Sequence, residues 1–476
     1  MDTEKLNILY VCSECLPFAA GGGIADMMLA LPKYLSTKED LDIRVVMPLY
    51  KSIPEELKND FRLVAERNVE LSWRNDYCGI YEYELGEITY YFIDNKQYFD
   101  RDNLYGYDDD VERFSFFSKA VLDMLPMVSF FPDIIHANDW QTSLVCTFLK
   151  VFEWANPKYE HIKSVLTAHN LTFQGKTDFG AVRNLLGVDD KFSYLFDFFG
   201  QANIMKAGIL CADQIVTVSE TYKNEILNTE KGYGLQGVLQ SVTHKLDAIC
   251  NGIDYEYYNP ATDDIIYQTY DAESLEKRKI NKLKLQEELG LVVDENIPIY
   301  SFVGFMAAHK GFDLISGVIE KYLDAGIQFV AVGTIQDEYR DFLVNLNYKY
   351  PDHVHIKFGY DSVLARKIYA GADFLLNTSS VEPCGLCPMI ANRYGTLPIV
   401  YTTGGLIDNF SDFKYNNGNG YILKNYDVNS LSDLLDRTLR NFGEKEKITN
   451  YTKTGMTQDF SIAECAEKYL EIYRDM

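Results

Sequence analysis

Asn7-Ile8-Leu9-Tyr10-Val11, then Gly21-Gly22-Gly23-Ile24-Ala25-Asp26, then Asp42-Ile43-Arg44-Val45-Val46-Met47-Pro48 is the stretch that decides the fold. Its first and last pieces are apolar runs of strand length, the last closed by a proline. Between them the glycine triplet leads into Ile24-Ala25-Asp26-Met27-Met28-Leu29-Ala30-Leu31, a good helix former. Strand, glycine turn, helix, strand is how a doubly wound parallel sheet begins. Glycines let backbone N–H groups approach an anion, and a helix N-terminus adds a positive dipole. Taken alone, such a turn is as often structural as functional.

Working outward, Asp133-Ile134-Ile135-His136, Lys163-Ser164-Val165-Leu166-Thr167 and Gln214-Ile215-Val216-Thr217-Val218 read as further strands, each running directly into polar residues. Residues 254–263 are polar, contain Pro260 and read as a linker. The strand pattern then restarts at 299–303, 327–332, 354–358, 374–376 and 397–401. The fold class is therefore α/β: two Rossmann-like, doubly wound parallel-sheet domains, residues 1–257 and 258–476, facing an interdomain cleft. In open α/β sheets ligands sit beyond the carboxyl ends of strands, and clefts between domains favour ligand sites.

The chain has 476 residues, more than the roughly 250–300 at which a single core stops growing. With 45 basic and 70 acidic residues its net charge is −25, which disfavours nucleic acid and anionic membrane as partners. An anionic substrate then needs a locally positive site in a negative protein. The 35 Tyr and 28 Phe are in part core. The remainder suit the C–H faces of carbohydrate. Met1-Asp2-Thr3-Glu4-Lys5 lacks the order of a signal peptide, and no run approaches the roughly 18 apolar residues of a membrane span. A cytoplasmic location is expected. Nine cysteines, an odd count, fit thiols better than a disulfide framework.

Three segments carry chemistry. His136-Ala137-Asn138-Asp139-Trp140-Gln141 and Thr167-Ala168-His169-Asn170 are polar clusters at neighbouring strand ends, one with a carboxylate. Ser379-Ser380-Val381-Glu382-Pro383-Cys384-Gly385-Leu386 follows a strand and precedes a helix. Its backbone N–H groups suit a diphosphate, and Glu382 suits sugar hydroxyls. Thr402-Thr403-Gly404-Gly405-Leu406 repeats that layout one unit later. Cys12/Cys15 and Cys384/Cys387 have zinc-like spacing. They lie too far apart for a ribbon, so no metal is expected, and a thiol switch is the other reading.

These residues resemble the bacterial glycogen synthases and plant starch synthases, retaining glucosyltransferases of the GT-B fold. The resemblance runs over nearly the whole chain. It includes Val11-Cys12-Ser13-Glu14 with Gly22-Gly23-Ile24-Ala25-Asp26, His136 to Trp140, Thr167 to Gly175, Lys206-Ala207-Gly208, Gly232-Tyr233-Gly234-Leu235, Asn251-Gly252-Ile253-Asp254, Lys310-Gly311, Glu382 to Leu386, Tyr394-Gly395-Thr396 and Thr403 to Leu406. It implies transfer of glucose from ADP-glucose, or another nucleoside-diphosphate glucose, to the non-reducing 4-OH of an α-1,4-glucan, with retention and without metal or other cofactor. It implies that Asp139, His169 and Glu382 are the catalytic group, with Asp26, contacting the transferred glucose or the acceptor. By the same resemblance Asn251 lines that pocket, Tyr360 stacks the adenine, and Gly385, Leu386 and Cys387 hold the diphosphate. Gly22, Gly23, Lys310 and Cys384 complete the donor-binding set. The last helix, 461–474, would cross back to the first domain.

The chain departs from the family at three basic positions, which here are Ala20, Phe305 and Ser380. A hydrogen bond to a charged group is worth about 1.5–3 kcal/mol, so losing two such contacts would cost roughly two to four decades in rate. Three readings follow. Another basic residue, such as Lys176, Lys206 or His309, compensates; the donor differs; or the chain is a catalytically impaired glucan-binding or regulatory relative.

Overall fold

The computed structural model describes residues 5–153, 156–415 and 417–476. The chain forms two compact units: the first runs to Gly252 and includes Ile462–Met476, and the second is Ile253–Ser461.

The first unit contributes β1 (Leu6–Val11), β2 (Leu41–Pro48), β3 (Arg62–Leu71), β4 (Arg74–Leu85), β5 (Ile88–Asp94), β6 (Ile134–Asn138), β7 (Lys163–Ala168), β8 (Lys176–Asp178), β9 (Asp197–Phe198), β10 (Gln201–Asn203), β11 (Gln214–Thr217) and β12 (Leu246–Ala248). Nine of them form one sheet in the order β12-β11-β7-β6-β1-β2-β5-β4-β3. The strands from β12 to β5 are parallel, and β4 and β3 add an antiparallel edge. β6 is buried along its whole length, as a strand covered on both faces must be. β8, β10 and β9 form a small separate antiparallel sheet.

The C-terminal helix Ile462–Asp475 belongs to this first unit. A buried chain of polar contacts fastens it. The Tyr473 hydroxyl lies 2.9 Å from that of Tyr10 and 2.6 Å from His136 Nδ1. His136 Nε2 lies 2.7 Å from the Thr167 hydroxyl, which lies 3.0 Å from that of Tyr469. Leaving any of these groups without a partner would cost about 1–3 kcal/mol. Burial lowers the His136 pKa to about 3, so its ring is neutral. Nearer the surface, Lys38 and the Tyr34 hydroxyl donate to Glu467, and Arg474 pairs with Asp40.

The second unit holds β13 (Ile299–Val303), β14 (Gln328–Gly333), β15 (Val354–Phe358), β16 (Phe374–Asn377), β17 (Leu397–Tyr401) and β18 (Tyr421–Leu423). They form an all-parallel sheet in the order β15-β14-β13-β16-β17-β18. Its core includes Tyr300, Phe302, Phe312, Ile315, Phe329 and Phe374. Residues 254–263, polar enough to read as a linker, are bonded into this unit. Buried Asp263 pairs with Arg366 at 3.1 Å and accepts from the Tyr394 hydroxyl at 2.5 Å, and the Arg366 guanidinium lies 3.9 Å from the Tyr257 ring centre. The division between units therefore falls at Gly252/Ile253.

Candidate active site

Within the parallel part of each sheet the strand order reverses once. In the first unit β1 is followed on one side by β2 and on the other by β6; in the second, β13 lies between β14 and β16. The crevice beyond the strand ends at such a reversal is where an open α/β sheet binds its ligand. Glu14 lies just past β1, Asp139 directly after β6 and His169 directly after β7. Lys310 lies in the turn after β13 and Glu382 in the turn after β16. The polar candidates thus gather at the one position in each sheet that favours a site.

In the first unit, Asp139 precedes the helix Trp140–Val151 with φ 56° and ψ −175°. Non-glycine residues rarely occupy that conformation, and those that do cluster at functional sites. Its carboxylate does not cap its own helix. Oδ1 accepts from the backbone N–H of His169 at 2.7 Å and of Asn170 at 3.3 Å. Burial nonetheless raises its pKa to about 7. His169 Nε2 lies 2.9 Å from Asn138 Oδ1. The Asn138 amide nitrogen donates to the carbonyls of Val11 and His136, so Oδ1 is the accepting atom and His169 carries its proton on Nε2. Burial lowers the His169 pKa to about 4, which leaves Nδ1 an unprotonated acceptor.

The glycine turn is organised by a residue to which the sequence reading gave no role. Glu14 Oε2 accepts from the backbone N–H of Gly21 and, at 2.8 Å, from that of Gly22. Burial lifts its pKa to about 7; the two N–H groups work against that rise and the nearby charge of Asp26 adds to it. The signal was positional: a carboxylate at the end of β1, next to a glycine turn. Gly22 precedes the helix Gly23–Ser36, Gly23 opens it and Asp26 lies in its first turn. Asn251 is buried, and its amide oxygen has no hydrogen-bond partner among the described residues. His136, grouped with this cluster by sequence, is instead committed to Tyr473 and Thr167. Lys206 is held by the carbonyls of Tyr194 and Asp197, and Lys176 lies over the Phe198 ring at 4.9 Å.

In the second unit, Lys310 pairs with Glu382 Oε2 at 2.8 Å, and the Ser379 hydroxyl lies 3.1 Å from the same oxygen. Gly385 precedes the helix Leu386–Arg393 with φ 93°, and a side chain there would strike Leu406 at 2.6 Å. Cys384, Gly385, Leu386 and Cys387 therefore sit together at a helix start, where backbone dipoles favour an anion. The turn at Gly404-Gly405 braces this one. Gly405 N–H lies 3.1 Å from the Glu382 carbonyl and 3.0 Å from the Pro383 carbonyl. Tyr360 follows β15 and is half exposed. Phe305 lies edge-on to His309 with ring centres 5.8 Å apart. Ser380 bonds the His309 carbonyl through its N–H at 2.9 Å and its hydroxyl at 3.2 Å. Among the described residues no group of three or more His, Cys, Asp or Glu side chains is placed to hold a metal ion, and the two Cys-x-x-Cys pairs lie in different units.

Residues 7–241 match the starch synthase catalytic domain and residues 281–455 match the glycosyl transferases group 1. The structure is similar to the catalytic domain of starch synthase IV from Arabidopsis thaliana, solved with ADP and acarbose: TM-score 0.92, 29% identity, 99% of each chain covered. A sucrose-phosphate synthase from Thermosynechococcus elongatus shares the fold at 14% identity and TM-score 0.61. Two α/β units with parallel sheets, matched in this way, define a glycosyltransferase of the GT-B fold. The sequence is 42% identical to a glycogen synthase of Bacillus cereus over 99% of this chain and 100% of the relative. It is 40% identical to one of Clostridioides difficile over the same shares. The chain belongs to the glycogen synthase family. None of these relatives supports the reading of an impaired, purely glucan-binding protein.

Proposed function

We propose that the protein transfers glucose from a nucleoside-diphosphate glucose, ADP-glucose in the first instance, to the non-reducing 4-OH of an α-1,4-glucan with retention. The observation that carries this reading is the gathering of carboxylates, histidine and glycine turns at the reversal point of both sheets, in a chain of this family. The first unit supplies the sugar and acceptor side. Asp139 and neutral His169 face the transferred glucose, with Asp26 and the buried amide of Asn251 alongside, and Gly22 and Gly23 present the turn. The second unit supplies the donor side. Tyr360 stacks the base, and Lys310 with the N–H groups of Cys384, Gly385, Leu386 and Cys387 takes the diphosphate. Glu382, tied to Lys310, grips the sugar.

The C1–O bond to the phosphate breaks as the bond from C1 to the acceptor O4 forms. The acceptor proton passes to the departing phosphate oxygen on the same face, which preserves the configuration. Negative charge grows on the leaving diphosphate, and fixed donors aimed at that charge are the main source of rate. The reading places the reaction in the cytoplasm and needs no cofactor.

Incubation with labelled ADP-glucose and glycogen tests it. Label should enter the polymer and be released by β-amylase, which cuts α-1,4 links from the non-reducing end. Label that enters but resists β-amylase would exclude the proposed linkage.

A further inference from the structure

Phe199 occupies a position that folding alone does not explain. β9 and β10 are joined by the two-residue turn Phe199-Gly200, with φ 52° and 82°. Both central residues in the left-handed region is the pattern that favours Asn-Gly, and a bulky side chain at the first of them is strained. The ring is also 86% exposed, so the strain is not offset by burial. An aromatic ring that the backbone holds out at such a cost points to something that lands on it.

The surroundings form a built platform. Phe198 is buried beneath and meets Phe199 edge-to-face at 4.8 Å and 71°. Gly234 runs under both rings: a side chain there would come within 2.8 Å of Phe198 and 3.4 Å of Phe199. Gln174 ties the pieces together, donating to the Tyr233 carbonyl at 3.3 Å and accepting from Asn203 at 2.6 Å. The neighbouring residue Phe173 is 56% exposed, and Tyr194 is 64% exposed. Phe173 follows His169 by four residues on the loop that enters β8, so that loop runs directly into the small sheet whose turn carries Phe199.

We propose that Phe199, with Phe173 and Tyr194 around the β8-β10-β9 sheet, is a stacking platform for the glucose rings of an α-glucan. The proposal rests on the reading of the acceptor as an α-1,4-glucan. Pyranose rings present apolar C–H faces to exposed aromatics and carry no charge. The protein's net charge of −25 therefore leaves them undisturbed while it disfavours the other common stacking polymer, nucleic acid.

The test uses the full chain with Phe199→Asn, which suits the left-handed turn, and Phe199→Trp, which keeps a ring. Affinity electrophoresis in glycogen and titration with maltoheptaose should show about tenfold weaker binding for F199N. F199W should bind like the wild type. The KM for glycogen should rise by a similar factor in F199N, and its melting temperature should not fall below that of the wild type. Unchanged glycogen affinity in F199N, or a rise in the KM for ADP-glucose in place of that for glycogen, overturns the platform while leaving the transferase reading intact. A wild-type protein that binds neither glycogen nor maltoheptaose overturns both.

Discussion

The two units solve the same problem with opposite electrostatics. In the first, the acids are buried and pressed toward neutrality: Asp139 and Glu14 both have pKa values raised to about 7, and each spends its lone pairs on backbone N–H groups. In the second, Glu382 meets a lysine directly, and the turn around it is braced by backbone contacts from Gly405. The first site stores unfavourable energy in desolvated carboxyls and a strained Asp139 backbone. The second is ion-paired and, at Tyr360, open. In the second unit the lysine is paired and partly exposed, and the helix start beside it is buried at Cys384 and Leu386.

The largest effect on rate is expected at Glu382. Replacing it with alanine removes the sugar contact and leaves Lys310 without this carboxylate. Transfer should fall about 10²–10³-fold, while stability changes by roughly 1 kcal/mol or less because the pair is partly exposed. Urea unfolding alongside the rate assay separates the two effects, and a large loss of stability would mean the pair is structural.

Asp139→Asn sharpens the contrast, because it should lose activity and gain stability. Between about pH 4 and pH 7 the folded carboxyl keeps its proton while the unfolded one has lost it. Unfolding then releases a proton, so stability falls as pH rises and the cost is complete above pH 7. The variant should be more stable than the wild type by on the order of 2–4 kcal/mol at pH 8 and by almost nothing at pH 4. A gain that does not depend on pH would show that Asp139 ionises as freely in the fold as in water.

Glu14→Gln carries the same sign, with a gain of about 1–3 kcal/mol at pH 8 that disappears by pH 4.5, and with less than a tenfold loss of rate. An unchanged pH profile of stability would show that burial does not raise the Glu14 pKa in the fold. Smallest is Tyr360→Ala. Its donor KM should rise about tenfold with kcat unchanged, the mark of binding that is uniform across the reaction. A fall in kcat instead would move Tyr360 from the base to the reacting sugar.

Much of this was legible in the sequence, for physical reasons. Strands buried on both faces read as unbroken apolar runs, so β1, β6, β7, β13, β14, β16 and β17 stand out, and the edge strand β15 was legible from the alternation of Val354, Ile356 and Phe358. The outermost strands β3, β12 and β18 did not stand out. β3, Arg62-Leu63-Val64-Ala65-Glu66-Arg67-Asn68-Val69-Glu70-Leu71, is largely solvent-facing, and its polarity hides its strand character. Asp139 and His169 were visible because they end apolar strands. Glu14 was not, because its meaning depends on a turn that brings Gly21 and Gly22 back onto it. His136 was misleading for the converse reason: one of its two partners, the Tyr473 hydroxyl, lies at the far end of the chain, and that hydroxyl also meets Tyr10.

The most direct measurement is glucosyl incorporation into glycogen by the wild type, D139N and E382Q, assayed side by side with labelled ADP-glucose and UDP-glucose. The wild type should incorporate glucose, and one substitution in either unit should lower the rate at least about 100-fold with all three proteins folded. A folded wild type that incorporates glucose from neither donor, or a variant that keeps the full rate, would contradict the assignment.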